Sequence, residues 1–190
     1  MGGFDDGYFE RSWQKTLAVL ALHDYTTLYP YTALMTTITV DGDDVIEALE
    51  ELVERAKEYC HDIKAIFLDT IVYAGFNVLD PRKALERLRT PLIVVYMYPP
   101  NIRTIEAALQ KHFNDWSQRL KPILEVAERL RETNCPRGTV YIATYGIDYA
   151  NAWHLTCTTQ LYSRQPEPLY TSNKLASKIA RKLVARLKNP

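Results

Sequence analysis

The sequence of 190 residues has only three cysteines and four histidines, and its acidic and basic side chains balance to no net charge. Cys60, Cys135 and Cys157 are widely spaced and form no CxxC pair. This spacing argues against a disulfide scaffold or a zinc finger and favours a reducing cytoplasm. The histidines form neither an HxH nor an HExxH pattern, so we expect surface or hydrogen-bonded core residues rather than metal ligands.

Long apolar runs are also absent. The longest stretches, around residues 17–22 and 91–97, are far shorter than the ~20 residues of a membrane-spanning helix. The acidic pair Asp5 and Asp6 lies where a signal peptide would need its apolar core, so we expect a cytoplasmic protein. A chain of this length can bury roughly 70% of its unfolded surface, which predicts a single domain over residues 1–190.

Extended apolar segments alternate with helical patterns along the chain. Strands are predicted near Phe4 and over residues 16–21, 33–40, 63–68, 92–97 and 139–144, the second and third forming a hairpin. Helical periodicity begins at Asp44 and recurs over about residues 105–116, 148–160 and 169–187. The predicted order β-β-β-α-β-α-β-α-β-α-α indicates an α/β fold. Its mixed sheet has an antiparallel opening meander, then βα units, and helices cover both faces.

Three local features refine this prediction. Asp44 with Glu47 looks like a capping box at the start of the first helix. Pro122 is expected to break or kink the helix that contains Trp116. The NCPRG segment, residues 134–138, is expected to be a turn leading into the last strand.

Carboxylates occur where predicted strands end. Asp69 follows the central apolar strand, Asp41 follows the third strand, and Asp5 with Asp6 follows the first. Ligands of open α/β sheets bind at this edge, and clustered carboxylates favour Mg²⁺ or Mn²⁺, which activate water for phosphodiester hydrolysis. The alternative is structural: a strand terminator at Asp69, a helix cap at Asp41 and a turn at residues 5–6.

The last predicted helix is strongly basic. Four cations share one face and four apolar residues the other: Lys174, Lys178, Arg181 and Lys182 against Leu175, Ile179, Leu183 and Leu187. This basic face either contacts phosphates or is a solvated surface whose cations suit the helix dipole. Among the tyrosines, Tyr73, Tyr96 and Tyr98 are the candidates for base stacking, with packing at the edge of the core as the alternative.

Four segments resemble, in order, an archaeal uncharacterised family described as endonuclease V-like. They are GFDDGYF at residues 3–9, TVDGDDVIEAL at 39–49, FLDTIVYAGFNVLD at 67–80 and QPEPLYTSNKLAS at 165–177. The similarity covers nearly the whole chain, and the AGFN and PEPL stretches are its most specific parts.

This resemblance implies a ribonuclease H-like fold, similar to endonuclease V, and a Mg²⁺- or Mn²⁺-dependent hydrolase of DNA or RNA acting near deaminated bases. By motif, the metal-binding and catalytic residues would be Asp5, Asp41 and Asp69, with Asp6 as an alternate ligand. Asn77 would lie beside Asp69 and either orient a metal-bound water or shape the turn.

The chain departs from the endonuclease V pattern at three positions. Met97 replaces a lysine suited to phosphate charge, Asn173 replaces a histidine or acidic residue, and Tyr170 replaces an arginine. The proline-tyrosine wedge with which endonuclease V parts the DNA strands has no clear equivalent in this sequence, although residues 29–31 (Tyr-Pro-Tyr) lie nearby. The enzyme prediction therefore stays open. The alternatives are an impaired nucleic-acid-binding protein that keeps the fold and a structural or interaction protein. We expect no membrane partner and a monomer or weak homo-oligomer.

Overall fold

The computed structural model describes residues 1–10, 12–59 and 62–188. Its strands are β1 Gly2–Asp6, β2 Lys15–His23, β3 Pro30–Thr39, β4 Ile66–Leu68, β5 Val72–Tyr73, β6 Asn77–Val78, β7 Leu92–Tyr96, β8 Arg131–Cys135 and β9 Gly138–Tyr145. Its helices are α1 Val45–Ala56, α2 Pro81–Leu88, α3 Ile102–His112, α4 Trp116–Arg129, α5 Tyr149–Thr158 and α6 Glu167–Lys188.

Seven strands form one mixed sheet in the order β3-β2-β1-β4-β7-β9-β8. The opening meander β1–β2–β3 is antiparallel, β4 pairs in parallel with both β1 and β7, and β9 runs antiparallel to β7 and β8. The remaining strands, β5 and β6, form a separate small hairpin. This arrangement confirms the predicted mixed sheet.

Apolar side chains cover both faces of the sheet, so it has two cores. The larger core packs Phe4, Leu68 and Val94 against helices α1 to α4. The smaller core packs Phe67 and Val95 of the opposite face against α5 and α6. Neighbouring residues of a strand point to opposite faces, so the nearly continuous apolar runs of β4 and β7 fit a sheet covered on both sides.

The predicted helix around Trp116 is two helices, and Pro122 does not separate them. The break comes earlier, where Phe113 has extended backbone geometry and packs its ring edge-on against Phe76 at 5.4 Å. Pro122 lies inside α4. Because proline lacks an N–H, it leaves the carbonyl of Gln118 without its helical partner, and Gln118 is exposed to water.

Two further elements differ from the prediction. The predicted NCPRG segment contains the turn, at residues 136–137, but residues 131–135, for which no strand is predicted, form β8 and pair with β9 in a hairpin. Cys135 at the end of β8 forms a disulfide with Cys157 of α5. One bridge is no scaffold, but the spacing of the cysteines did not predict this pairing. Cys60 lies outside the described residues.

Of the described helices, none combines the length and the apolar character that crossing a membrane requires. His23 is buried with both ring nitrogens hydrogen-bonded, to the Leu28 carbonyl and to the Thr171 hydroxyl. His112 and His154 are exposed. These three histidines therefore confirm the prediction of surface or satisfied core residues, and His61 lies outside the described part of the chain.

Candidate carboxylate site

The parallel register of β1 and β4 brings two carboxylates together. Phe4 pairs with Leu68 at the end of the ladder, so the next residues, Asp5 and Asp69, lie level with each other. Partners in a ladder point to the same face of the sheet. Both carboxylates therefore lie at the carboxyl ends of adjacent parallel strands, on the face that α6 covers. The structure thus brings these two predicted site residues together.

Burial and the negative charges of neighbouring carboxylates raise the pKa values of both Asp5 and Asp69. Desolvation, reduced by a hydrogen bond from Asn173 and reinforced by the charge of Asp6, raises the pKa of Asp5 to about 7. Desolvation and then the charges of Asp5 and Asp6 raise the pKa of Asp69 well above its usual value. The Oδ1 atom of Asp69 is buried and accepts no hydrogen bond. A buried carboxylate oxygen without a partner costs free energy, which marks this site as unusual.

Helix α6 reaches Asp5 because two glycines let it come close to β1. A Cβ on Gly3 would lie 2.1 Å from the backbone of Pro168, and one on Gly7 would lie 3.0 Å from Ala180. At this short separation the Nδ2 of Asn173 donates to Asp5 Oδ2 at 2.7 Å.

The buried stripe of α6 differs from the predicted one. It consists of Leu169 and Ser172 near the start of the helix and of the small residues Ala176 and Ala180 further along. Leu183, expected in the apolar face, is 48% exposed. Small side chains opposite glycines allow a closer approach than a leucine stripe would, which is why hydrophobicity alone misjudged this face.

The AGFN turn holds the other two aspartates. Ala74 donates its N–H to Asp6 Oδ2 at 2.6 Å and accepts the N–H of Asp41 at 2.8 Å. Asp41 Oδ1 in turn accepts from Phe76 N at 2.9 Å. Gly75 has a φ of +86°, and a Cβ there would lie 2.2 Å from Asp41 Oδ1. The turn therefore needs glycine at this position and fixes Asp6 and Asp41 from one side.

Asn77 has a structural role in this arrangement. It is fully buried, its Oδ1 accepts from Val45 N at 3.2 Å, and its Nδ2 donates to Thr39 O and to Asp44 Oδ1. The Asp44 carboxylate also accepts from the N–H and hydroxyl of Thr39 and makes no cap to its own helix. The predicted capping box is therefore wrong, and Asn77 caps α1 instead. Its contacts support the turn-shaping interpretation rather than orientation of water.

The donor chemistry fits a hard cation only in part. Asp5 and Asp69 offer converging carboxylate oxygens, one of them without a hydrogen bond, and a cation would relieve their mutual repulsion. Asp41 is exposed and bound to the AGFN turn. Within residues 1–10, 12–59 and 62–188, no three His, Cys, Asp or Glu side chains are grouped closely enough to hold a metal ion.

The predicted basic face lies beside this site. All four of its cations are exposed: Lys174, Lys178, Arg181 and Lys182. Lys174 lies over the ring of Tyr170 at 5.2 Å, one position from Asn173. Arg181 lies over the ring of Tyr8 at 5.6 Å, just past the end of β1. Lys174 and Arg181 therefore lie near the site, whereas Lys178 and Lys182 lie on the side of α6 that faces away from its buried stripe.

Arg119 of α4 was not among the predicted residues. Its Nη1 donates to the carbonyls of Asp41, Gly42 and Phe76 at 3.1, 2.8 and 2.6 Å. The guanidinium also stacks on Phe113 at 4.6 Å. Arg119 therefore joins the loop after β3 to the AGFN turn. No sequence signal distinguishes it from the other arginines of a helix surface.

Other aromatic candidates divide by exposure. Tyr73 is fully buried, with its hydroxyl donating to Thr70 O, and Tyr96 is half-buried, so both pack rather than stack on bases. Tyr98 is 70% exposed. Residues 29–31 lie at the β2–β3 turn, near the amino end of β1 and away from the carboxylates. They are not placed to act as a wedge at this site.

Comparison with known proteins now gives the family. The family model described as endonuclease dU matches residues 1–180. The chain belongs to the endonuclease dU family. Among curated relatives of this family member, a UPF0215 protein of Pyrococcus furiosus is 34% identical over 182 residues, covering 94% of this chain and 91% of the relative. A UPF0215 protein of Aeropyrum pernix is 28% identical, covering 95% and 98%.

Solved structures give the fold of this endonuclease dU family member. A protein of unknown function from Archaeoglobus fulgidus is 29% identical with a TM-score of 0.80, over 94% of this chain and 96% of that one. Endonuclease V of Ciona intestinalis, crystallised with DNA containing an inosine, has a TM-score of 0.67 at 12% identity, over 96% and 85%. These matches confirm the resemblance to an archaeal endonuclease V-like family and show the endonuclease V fold.

Proposed function

We propose that this protein is a divalent-metal-dependent phosphodiester hydrolase that cleaves DNA or RNA near a deaminated base. The observation that carries the proposal is the buried Asp69 Oδ1 without a hydrogen-bond partner, level with Asp5 at the carboxyl edge of the sheet. The family name and the inosine-containing DNA bound by the Ciona enzyme support this substrate class.

Asp5 and Asp69 would hold Mg²⁺ or Mn²⁺, with Asp6 and Asp41 as the further predicted ligands. Such an ion activates a water molecule and stabilises the leaving oxygen of the phosphodiester. Asn173 holds one oxygen of Asp5 through its amide N–H, so it orients that carboxylate. Ala74 holds Asp6 in the same way through its backbone N–H. In this proposal Asp5 is fixed through both carboxylate oxygens, by Asp6 N and Asn173 Nδ2, whereas Asp6 and Asp41 are each fixed through one.

The basic face of α6 would hold the nucleic acid strand. Its four exposed cations lie on α6, the helix that covers the site, and lysine and arginine contacts to phosphates supply most sequence-independent affinity. Met97 at the end of β7 is half-buried and offers no charge to the phosphate. The negative charge of the phosphate must therefore be stabilised by the metal and by α6. Because Met97 contributes nothing, we expect a lower rate of cleavage. Losing one positioned donor costs about 10²- to 10³-fold in other enzymes.

The test is cleavage of end-labelled single strands containing inosine or deoxyuridine, as DNA and as RNA, with Mn²⁺ present. We expect wild-type protein to cleave and Asp69→Asn to lose cleavage while remaining folded by circular dichroism. Asp43→Asn is the matched control, because Asp43 is an exposed aspartate in the loop after β3 that also carries Asp41. Cleavage that survives Asp69→Asn would refute the carboxylate mechanism.

A second candidate is a nucleic-acid-binding protein that keeps the fold with little turnover. Asn173, an amide that cannot exchange a proton, and the uncharged Met97 favour it. Binding without cleavage in both Asp69→Asn and wild type would support this candidate. An interaction protein with vestigial carboxylates would neither cleave nor bind. A single domain, a cytoplasmic location, and a monomeric or weakly homo-oligomeric state remain predictions.

A further inference from the structure

Tyr98 presents an exposed aromatic ring close to the carboxylate site. In the parallel register of β4 and β7, Leu68 pairs with Val94, so Asp69 lies level with Val95. Tyr98 follows Val95 by three residues, at most about 10 Å further along the chain. It is 70% exposed at the edge of the sheet where the carboxylates lie. A nucleic-acid strand that runs from Asp69 toward the carboxyl end of β7 therefore passes Tyr98.

An arginine supports this ring. The guanidinium of Arg164 lies 5.1 Å from the centre of the Tyr98 ring, and its Nη2 donates to the Tyr98 hydroxyl at 3.0 Å. Its Nη1 donates to the carbonyl of Thr139 at 3.4 Å. The guanidinium is thus fixed between β9 and Tyr98, and it holds the ring in one orientation with the remaining surface open to solvent.

The surrounding backbone is built around Arg164. Gly138 has a φ of +124°, and a Cβ there would lie 2.7 Å from the Arg164 side chain. The carbonyl of Arg164 accepts from Gln160 Nε2 at 2.6 Å. Cys135, the partner of Gly138 in the β8–β9 register, is tied by the disulfide to Cys157, just before Gln160. The disulfide and Gln160 therefore anchor the segment that carries Arg164 on its amino-terminal side.

We propose that Tyr98 and Arg164 form a stacking platform for an unpaired nucleobase beside the scissile phosphate. This inference rests on the proposed function and deepens it by assigning a single-stranded or unpaired substrate. A base inside a duplex has both faces covered by its neighbours, so only an unpaired base can stack on the ring. Base–aromatic stacking tolerates any base, because each has a π-face, and the nearby guanidinium attracts the adjoining phosphate.

The test measures binding of a short fluorescein-labelled inosine-containing strand by anisotropy, single-stranded and as duplex, in EDTA so that no cleavage occurs. Tyr98→Ala should weaken single-strand binding by about five- to hundredfold and duplex binding much less, whereas Tyr98→Phe should bind nearly as wild type. Tyr162→Ala is the matched control, since Tyr162 is 85% exposed and, within the described residues, makes no cation–aromatic pair. Unchanged melting temperatures would show that all variants fold.

The outcomes separate the two proposals. Single-strand binding that Tyr98→Ala leaves unchanged, or that Tyr162→Ala weakens equally, overturns the platform and leaves the proposed function standing. Wild-type protein that binds neither strand nor duplex overturns the platform and the proposed function together. Stacking releases no counterions, so the Tyr98→Ala variant should also keep the wild-type dependence of affinity on salt. A weaker salt dependence would instead assign Tyr98 to phosphate contacts and overturn the platform.

Discussion

At the scale of single residues, the carboxylate pair contradicts what stability alone would select. A buried aspartate is normally hydrogen-bonded or paired with a cation, yet Asp69 Oδ1 has no hydrogen bond and faces Asp5. Local violations of this kind concentrate at functional sites, where binding of a ligand compensates for them. The two residues therefore connect the stability of the protein to pH and to metal ions.

Without divalent cations, stability should fall as pH rises. The folded-state pKa of Asp5, about 7, lies above its ordinary 3.8, so the native state binds a proton that the unfolded state has released. The resulting stability is fully present below about pH 3.8 and is lost as pH rises through about 7. Each such group changes the free energy of unfolding by at most about 1.4 kcal/mol per pH unit.

Urea unfolding of the metal-free protein between pH 5 and 8 checks this pH dependence, with Asp69→Asn expected to show a shallower decline than wild type. Asp43→Asn should follow the wild-type curve. A wild-type decline no steeper than that of Asp69→Asn would contradict the raised pKa values of the carboxylate pair.

Added Mg²⁺ or Mn²⁺ should reverse this loss of stability at high pH, because a cation stabilises the ionised carboxylates in the native state alone. Saturation at ~100 times the dissociation constant stabilises by about 2.7 kcal/mol. We expect the melting temperature to rise more at pH 8 than at pH 5, and Asp69→Asn to abolish the rise. Differential scanning calorimetry with and without the ion measures this. An equal rise in Asp69→Asn would place the metal elsewhere.

At the scale of secondary-structure elements, close approach between β1 and α6 determines the site. Gly3 lies on the strand face that carries Asp5, while Gly2 faces the other core. This difference follows from the alternation of side chains along a strand. The helix can touch Asp5 through Asn173 only because Gly3 has no side chain.

Gly3→Ala should therefore displace α6 and destabilise the protein by about 1–3 kcal/mol, the usual cost of overpacking. Gly2→Ala is the matched control, since its Cβ would meet side-chain atoms rather than backbone, Leu20 Cδ1 at 3.0 Å and Ile66 Cγ1 at 3.3 Å. Thermal unfolding compares the two variants. Cleavage assays should show the larger loss for Gly3→Ala, because displacement separates Asn173 from Asp5. Equal effects of both substitutions would argue against the close-approach explanation.

The disulfide ties a second pair of elements. Cys135 and Cys157 are 22 residues apart, and closing a loop of this length stabilises the folded state by about 3 kcal/mol. Reduction with dithiothreitol should therefore lower the melting temperature of wild-type protein. The double variant Cys135→Ser/Cys157→Ser should melt at the lower temperature with or without the reductant. A wild-type melting curve insensitive to complete reduction would contradict a stabilising bridge.

At the scale of the whole molecule, the sequence predicted the order of strands better than the contacts between elements. Apolar periodicity identified the hairpin and the buried strands, because the positions of a strand that face a core are occupied by apolar residues. The strand β8 was missed because it is polar and lies at the sheet edge. Arg119 was missed, and the two alternatives for Asn77 could not be separated, because both roles depend on contacts with residues more than thirty positions away.

Charge is segregated across the molecule although the total is zero. The basic face belongs to α6, the helix that covers the carboxylate site, whereas Lys57 and Lys64 lie elsewhere and pair with Glu54 and Asp62. If the strand lies along α6, the cations of that helix should release counterions on binding, whereas Lys57 and Lys64 should not. Position rather than the number of cations then decides affinity.

Replacing Lys178 and Lys182 by glutamine should therefore weaken single-strand binding and flatten its salt dependence. Each lost phosphate contact lowers the slope of log K against log salt by about 0.7 for a single strand, so two lower it by about 1.4. Anisotropy titrations at several salt concentrations measure the slope. Lys57→Gln/Lys64→Gln, an equal change in net charge, should leave it unchanged. If both double variants flattened the slope equally, the net charge of the protein rather than the α6 face would attract the strand.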